Sequence, residues 1–226
     1  LYDRDTQEIY LIRDRIGKKP LYYWYEDGNL VFASELKPIM KCPEFRGEIE
    51  RRVLSRYLFQ QYINAPESIY QRVYKLEPGG ILRFSEGEIK TWKYWDVKKV
   101  YHEALQDLTD YEDAKEELKE TLKKAVKARM IADVPLGSFL SGGYDSSLVT
   151  AMAQECSESP VKTFSIGFHE EKYNEAKYAK AVADYLGTNH TELYIGEQDM
   201  FDMVESIPTY YDEPFADSSE IATMMV

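Results

Sequence analysis

Two different textures share this chain, and the change from one to the other limits its fold more than any single motif. Up to about residue 96 the sequence is written in hairpins. Ile9, Tyr10, Leu11 and Ile12 make one strand-forming run, and residues 20–25 make an aromatic one. Residues 30–34 follow the turn Asp27-Gly28-Asn29, and residues 81–84 face 88–92 across Glu86-Gly87. Strand formers on both sides of such glycine turns signal hairpins. One helix interrupts them: Ile49, Val53, Leu54, Tyr57 and Leu58 recur at helical spacing, which predicts a helix over 48–61. From Val134 onward the order becomes strand, helix, strand. Strands are predicted at 134–140, 161–168 and 190–195, and helices at 146–154, at 174–186 (ended by Gly187) and at 197–207 (ended by Pro208). Such alternation predicts a parallel sheet with right-handed crossovers. A long helix of alternating charge, about 111–130, precedes it. Mixed, poorly periodic text over 97–110 marks the joint. The expected organisation is a β-rich domain over 1–96, a linker over 97–110 and an α/β domain over 111–226, and 226 residues suffice for both cores.

Charge narrows the function. Lys plus Arg is 28 and Asp plus Glu is 40, a formal net charge of −12. An acidic surface repels phosphate backbones, so a general nucleic-acid binder is not expected, and any anionic ligand needs a local site working against the global field. No apolar run approaches the length of a membrane span, so no membrane role is expected. Cys42 and Cys156 cannot make a disulfide framework and suit a reducing cytoplasm. His102, His169 and His190 are scattered with no metal-binding spacing, and each reads as a packed or solvated imidazole. The chain begins at Leu1 and stops in the apolar run 221–226, so both ends read as cut and the chain as an internal piece of something longer.

The segment with chemistry in it is Phe139-Leu140-Ser141-Gly142-Gly143-Tyr144-Asp145-Ser146-Ser147. A buried strand ends at Leu140, two glycines follow, and a hydroxyl-rich helix begins. Ligands of open α/β sheets sit outside the carboxyl ends of the strands. Gly142 and Gly143 clear the way for close backbone approach, successive N–H groups can nest an anion, and the helix start adds its dipole. Ser141, Ser146 and Ser147 supply hydroxyls. Together these point to a phosphate group. No lysine follows the glycines, so this is not the Walker loop. Asp145 beside a phosphate nest makes sense as a holder of Mg²⁺ that bridges the phosphates. The plainer alternative is that Asp145 and Ser146 cap a helix beginning at Ser147.

Ser141 to Ser146 matches the S-G-G-x-D-S signature of the PP-loop ATP pyrophosphatases, and the longer run from Val134 to Ser147 resembles the glutamine-dependent asparagine synthetases. Thr163-Phe164-Ser165-Ile166-Gly167-Phe168 and Tyr211-Asp212-Glu213-Pro214-Phe215-Ala216-Asp217-Ser218-Ser219 are similar to later stretches of the synthetase domain of that family. Arg13 to Tyr23 and Phe32 to Lys37 are similar to the back half of its N-terminal glutaminase domain. The resemblance implies an α+β Ntn-type glutaminase remainder, followed by an α/β parallel-sheet domain of the adenine nucleotide α hydrolase (PP-loop) type. It implies that ATP is bound with Mg²⁺ on Asp145, with Ser141, Gly142, Gly143 and Ser146 around the phosphates and backbone contacts to adenine from Leu140 and Ile166. The implied reaction activates aspartate as an acyl-adenylate, releases pyrophosphate, and amidates the adenylate with ammonia from glutamine. The substrates are then small molecules (aspartate, glutamine and ATP), the enzyme a cytoplasmic ligase, and a homodimer its expected assembly.

The resemblance has departures. The glutaminase nucleophile and a later phosphate loop are not in this chain, so it should hold half of each active site and complete neither. Cys42, in Lys41-Cys42-Pro43, is no substitute nucleophile. Tyr144 stands where the family more often has an aliphatic residue, and Ala222 where it has Pro. Two other functions remain open. One is a related amidotransferase acting on a sugar acid, a peptide side chain or a β-lactam precursor. The other is a nucleotide-binding regulator without chemistry. Among smaller features, Arg13-Asp14 reads as a structural ion pair, and Tyr22 to Tyr25 as sheet packing rather than a base-stacking platform. Asp212, Glu213 and Asp217 read as either a functional loop, holding Mg²⁺ or an amine, or a solvated acidic one.

Overall fold

Glycine turns build the first part of the chain. In a computed structural model of the protein, residues 1–103, 110–170, 172, 174–217 and 219–225 are described. The chain divides into two units, Leu1–Leu105 with Ser206–Ser218, and Gln106–Glu205 with Ser219–Val226.

In the first unit β1 (Tyr2–Asp3) and β2 (Glu8–Ile12) lead to β3 (Tyr22–Glu26) and β4 (Asn29–Ala33), which pair antiparallel with Glu26 opposite Asn29. The turn residues Asp27 and Gly28 take φ of 49° and 78°, the left-handed pair whose twist matches that of a two-residue hairpin. Two helices follow, α1 (Leu36–Met40) and α2 (Arg51–Gln60), the latter capped by the Glu50 carboxylate and ended by Gln61 in the left-handed region. The apolar periodicity had not separated out α1, which has only five residues and a proline inside it. Then come β5 (Val73–Lys75), β6 (Gly80–Ser85), β7 (Glu88–Lys93) and α3 (Val97–Glu103). The strands form two antiparallel sheets, ordered β1-β2-β6-β7 and β4-β3-β5. Trp24, Leu36, Ile39, Ile69 and Val73 make one buried cluster, and Leu11, Tyr23, Leu76 and Leu82 another. The aromatic run 22–25 is therefore sheet packing, with Trp24 edge-on to Phe45 at 5.9 Å between centroids.

In the second unit α4 (Tyr111–Arg129) starts on Asp110, whose side chain accepts from the Glu112 and Asp113 N–H groups. The chain continues through β8 (Gly137–Phe139), α5 (Tyr144–Glu155), β9 (Lys162–Phe168), α6 (Ala176–Leu186), β10 (Asn189–Ile195) and α7 (Glu197–Val204). All pairing among these strands is parallel, in the order β10-β9-β8. α6 ends at Gly187, whose φ is +68°. Leu140, Ala179 and Ala183 form the buried contact of α6 with the end of β8.

Several boundaries differ from expectation; the buried strand expected over 134–140 narrows to Gly137–Phe139, two of whose three residues are exposed. Pro208 does not stop a helix running from 197: that helix ends at Val204, and Pro208 opens a short α8 (Ile207–Tyr210), where its missing N–H costs nothing. α8 and the acidic loop after it belong to the first unit, and α9 (Glu220–Met224) to the second. Residues 104–109 of the expected linker, Ser218 and Val226 lie outside the described residues. Among the described residues no helix is long and apolar enough to cross a membrane.

Candidate functional site

The loop between β8 and α5 is shaped by its own hydroxyls. Leu140, 1% exposed, ends the strand and donates its N–H to the Phe164 carbonyl at 2.8 Å. Ser141 and Ser146 then close the loop on itself. Their Oγ atoms lie 2.9 Å apart, Ser146 Oγ donates to the Gly143 carbonyl at 3.2 Å, and Ser146 Oγ accepts from the Ser141 N–H at 3.3 Å. The Ser147 hydroxyl is buried and makes no hydrogen bond.

α5 begins at Tyr144, not Ser147. Gly143 is its N-cap residue, Ser147 N–H bonds the Gly143 carbonyl, and no side chain caps the end. The N-cap role considered for Asp145 and Ser146 therefore falls, since Gly143 holds that position; Ser146 bonds back from inside the first turn to the Ser141 N–H and the Gly143 carbonyl. The first N–H groups of the helix are left without intrahelical partners, next to the positive end of a 12-residue dipole. Asp145 lies exposed on this turn.

The two glycines have different reasons. Gly142 has φ of +82°, and a Cβ there would lie 2.6 Å from both the Ala179 N and the Tyr178 Cβ. Its bareness is demanded by α6, not by a ligand. At Gly143 a Cβ would meet only the Ser141 Oγ, at 3.5 Å. Nothing inside the protein forbids a side chain there.

The loop opens on a cleft of ≈ 440 Å³. Of the residues named from the sequence, Leu140, Ser141, Ser146 and Ile166 line it, while Gly142, Gly143 and Asp145 are not on its wall. Phe164, Ala176 and Ala222 add apolar surface, and Ser165, Glu175 and Thr223 add polar groups. Sequence reasoning missed these last three. Glu175 follows β9, and the rule that ligands sit beyond the carboxyl ends of strands applied to that loop as fully as to the first.

Among the described residues no three His, Cys, Asp or Glu side chains gather as a ready metal site. Asp145 is a lone carboxylate, a donor set that suits a hard cation arriving with phosphate oxygens as its other ligands.

Of the three acids in the later loop, Asp217 is exposed, while the other two are held by the protein. Asp212 accepts from the Leu36 N–H at 2.5 Å and pairs with Lys37 at 2.7 Å. Glu213 accepts from the Ile69 N–H at 2.7 Å and pairs with Lys75 at 2.5 Å. Both side chains are 9% exposed. Burial first, and then these two carboxylates, push the Tyr22 phenol far above its ordinary value. Arg13 is likewise no simple ion pair: its guanidinium donates to the carbonyls of Lys19, Leu76 and Gly17 at 2.9, 2.6 and 2.8 Å. The Cys42 thiol donates to Glu44 at 3.0 Å, and that bond, then burial, raises its pKa, the opposite of an activated nucleophile.

A parallel strand end, a glycine turn without lysine and a helix start with no side-chain cap mark the α/β unit, which follows a hairpin-rich unit of another architecture. Comparison with known proteins gives both units a family. Residues 1–95 match the family model "Glutamine amidotransferase domain", and residues 117–226 match "Asparagine synthase". Putative asparagine synthetase (glutamine-hydrolyzing) 2 of Methanocaldococcus jannaschii is 38% identical, over 100% of this chain and 44% of that protein. Asparagine synthetase (glutamine-hydrolyzing) 1 of Bacillus subtilis is 31% identical, over 100% of this chain and 35% of that protein. Amidase chry2 of Gibberella zeae is 30% identical, over 96% and 34%. The chain belongs to the family that joins a glutamine amidotransferase domain to an asparagine synthase domain, the glutamine-hydrolysing asparagine synthetases. It spans less than half the length of these relatives.

Proposed function

We propose that the protein carrying this chain makes asparagine from aspartate, using ATP and ammonia released from glutamine. In this reading residues 1–96 are the later part of an Ntn-type glutaminase domain and 97–110 a linker. Residues 111–226 are the first part of a PP-loop synthetase domain. The observation that carries it is the uncapped start of α5 beside an apolar cleft with Ser141 and Ser146 on its wall. A carboxylate is a poor acyl donor because its leaving group would be oxide. An aspartate side-chain oxygen attacks the α-phosphorus of ATP and the bond to pyrophosphate breaks, giving a β-aspartyl-adenylate. Ammonia adds to the acyl carbon, AMP leaves with the former carboxylate oxygen, and a proton is released. The N–H groups of the loop and helix start face the phosphates, and Gly143 lets them approach closely. Leu140 and Ile166 hold the adenine, and Asp145 holds Mg²⁺. Mg²⁺, when bound, neutralises charge on the departing pyrophosphate. This chain supplies part of each active site, and alone it is inactive. A cytoplasmic homodimer acting on small molecules, with no nucleic-acid or membrane partner, completes the proposal.

The test is on the full-length protein, with ATP, Mg²⁺, aspartate and ammonium. AMP and pyrophosphate should form only with aspartate and be lost in Asp145→Ala. ADP and phosphate would contradict adenylation. A second reading, amidation of another carboxylate on the same fold, is favoured by the similarity to a protein named amidase. AMP formed only with another acceptor would select it.

A further inference from the structure

Strands of a parallel sheet are usually apolar on both faces, yet β9 and β10 carry a polar row. Thr163 and Ser165 are 0% and 7% exposed, and the His190 side chain is 8% exposed. Thr163 Oγ1 lies 2.9 Å from Thr188 Oγ1 and 2.9 Å from His190 Nδ1. On the other side of the imidazole, Nε2 lies 3.2 Å from Ser165 Oγ. Ser165 lines the cleft, so the row ends at the ligand site.

Protons in such a row are assigned from its electrostatics. Glu192 Oε1 is buried, accepts no hydrogen bond and lies 3.7 Å from Nε2. A carboxylate oxygen facing a bare imidazole lone pair is repulsive, whereas facing an N–H it is attractive. The proton of neutral His190 therefore belongs on Nε2. Nδ1 then accepts from the Thr163 hydroxyl, and the Thr163 oxygen accepts from Thr188 at 2.9 Å, a shorter contact than the 3.5 Å from Thr188 Oγ1 to the Ala183 carbonyl. Nε2–H donates to Ser165 Oγ, which leaves the Ser165 hydroxyl proton free to point elsewhere.

We propose that His190 is a positioning residue, which through Nε2–H turns the Ser165 hydroxyl into a fixed hydrogen-bond donor toward an acceptor atom of a nucleotide in the cleft. The proposal rests on the nucleotide reading given above and adds to it a residue on the third strand of the sheet. Ser165 alone could spend its single proton on the imidazole; with Nε2–H donating to its oxygen, that proton is kept for the ligand. Preorientation removes the cost of turning the hydroxyl on binding.

The test compares two substitutions that differ in reach. Glutamine can place an amide N–H where Nε2 stands, and asparagine reaches only as far as Nδ1. In the full-length protein, ATP affinity of His190→Gln should stay within about twofold of the natural protein, while His190→Asn and Ser165→Ala should each lose about tenfold, the worth of one hydrogen bond in a desolvated site. The double variant His190→Asn/Ser165→Ala should bind no more weakly than Ser165→Ala alone. Equal losses in the Gln and Asn variants, or additive losses in the double variant, would overturn the proposal. Should a variant fail to fold, ¹⁵N chemical shifts of the histidines in the natural protein decide: an Nε2–H tautomer at His190 is expected, and Nδ1–H would overturn it. A protein that binds no ATP but shows the Nε2–H tautomer would refute the nucleotide reading while leaving the hydrogen-bonded row intact.

Discussion

Replacing the two loop glycines one at a time separates what the fold needs from what the ligand needs. At Gly142 an alanine meets two penalties. Its φ of +82° is left-handed, worth about 1–2 kcal/mol for a residue with a Cβ. Its Cβ would also sit 2.6 Å from the Ala179 N and 2.7 Å from the Tyr178 carbonyl carbon, backbone atoms of or beside α6 that cannot swing aside. Overpacking of that kind costs about 1–3 kcal/mol, so the sum is about 2–5 kcal/mol. For a chain this long each 1 kcal/mol lowers Tm by about 2–4 °C, so Gly142→Ala should melt at least about 4 °C lower. Gly143→Ala is different. Its Cβ meets only the Ser141 Oγ at 3.5 Å, and its φ of −75° suits alanine. Replacing glycine by alanine at an N-cap costs up to about 1 kcal/mol, offset by about 0.4–1 kcal/mol from a stiffer unfolded chain. Its Tm should stay within about 2 °C of the natural protein, while ATP binding, read by calorimetric titration, is lost because the methyl stands where phosphate approaches. Thermal melting and titration on both variants decide. A Gly142→Ala protein as stable as the natural one would refute the packing argument. A stable Gly143→Ala protein with undiminished ATP affinity would refute the placement of the phosphates.

Three further outcomes follow from the first unit. Glu213→Gln removes the charge facing Lys75, whose side chain is 14% exposed, and should destabilise the protein by about 3–5 kcal/mol in urea unfolding. Glu8 is held down at about 2, first by its hydrogen bond from Arg83 and then by that from Tyr10. A lowered folded-state pKa gives stability that is fully present above the unfolded value of about 4.5 and is lost as pH falls toward 2. Glu8→Gln should accordingly flatten the stability profile in that window, and an unchanged acid limb would contradict the assignment. Arg13→Lys offers an ammonium where three carbonyls are arranged for a guanidinium fork, and should cost about 1–3 kcal/mol in thermal melting.

What the sequence discloses and what it hides divide by the range of the interactions. The hairpin turns at Asp27-Gly28 and Glu86-Gly87, the Gly187 helix stop and the strand–helix alternation are local, and each reads directly from neighbouring residues. The loop after Leu140 was legible for the same reason, since the strand, the glycines and the helix start lie within ten residues. The start of α5 differs because Asp145 and Ser146 carry the side chains of cap residues, whereas the N-cap is Gly143, whose missing side chain leaves no mark beyond the glycine itself.

The acidic loop shows the opposite case. Its carboxylates look identical in sequence whether they meet water, a cation or a backbone N–H, and only the fold chooses. Asp212 finds the Leu36 N–H 176 residues back, and Glu213 the Ile69 N–H 144 residues back. The Leu36 N–H lies in the first turn of α1, a helix with no side-chain cap of its own, so Asp212 supplies from a distance what a local cap supplies elsewhere. Each carboxylate therefore meets both a backbone donor and a lysine, which is what buried acids require and solvated ones do not. On that ground Asp212 and Glu213 are structural parts of the first unit.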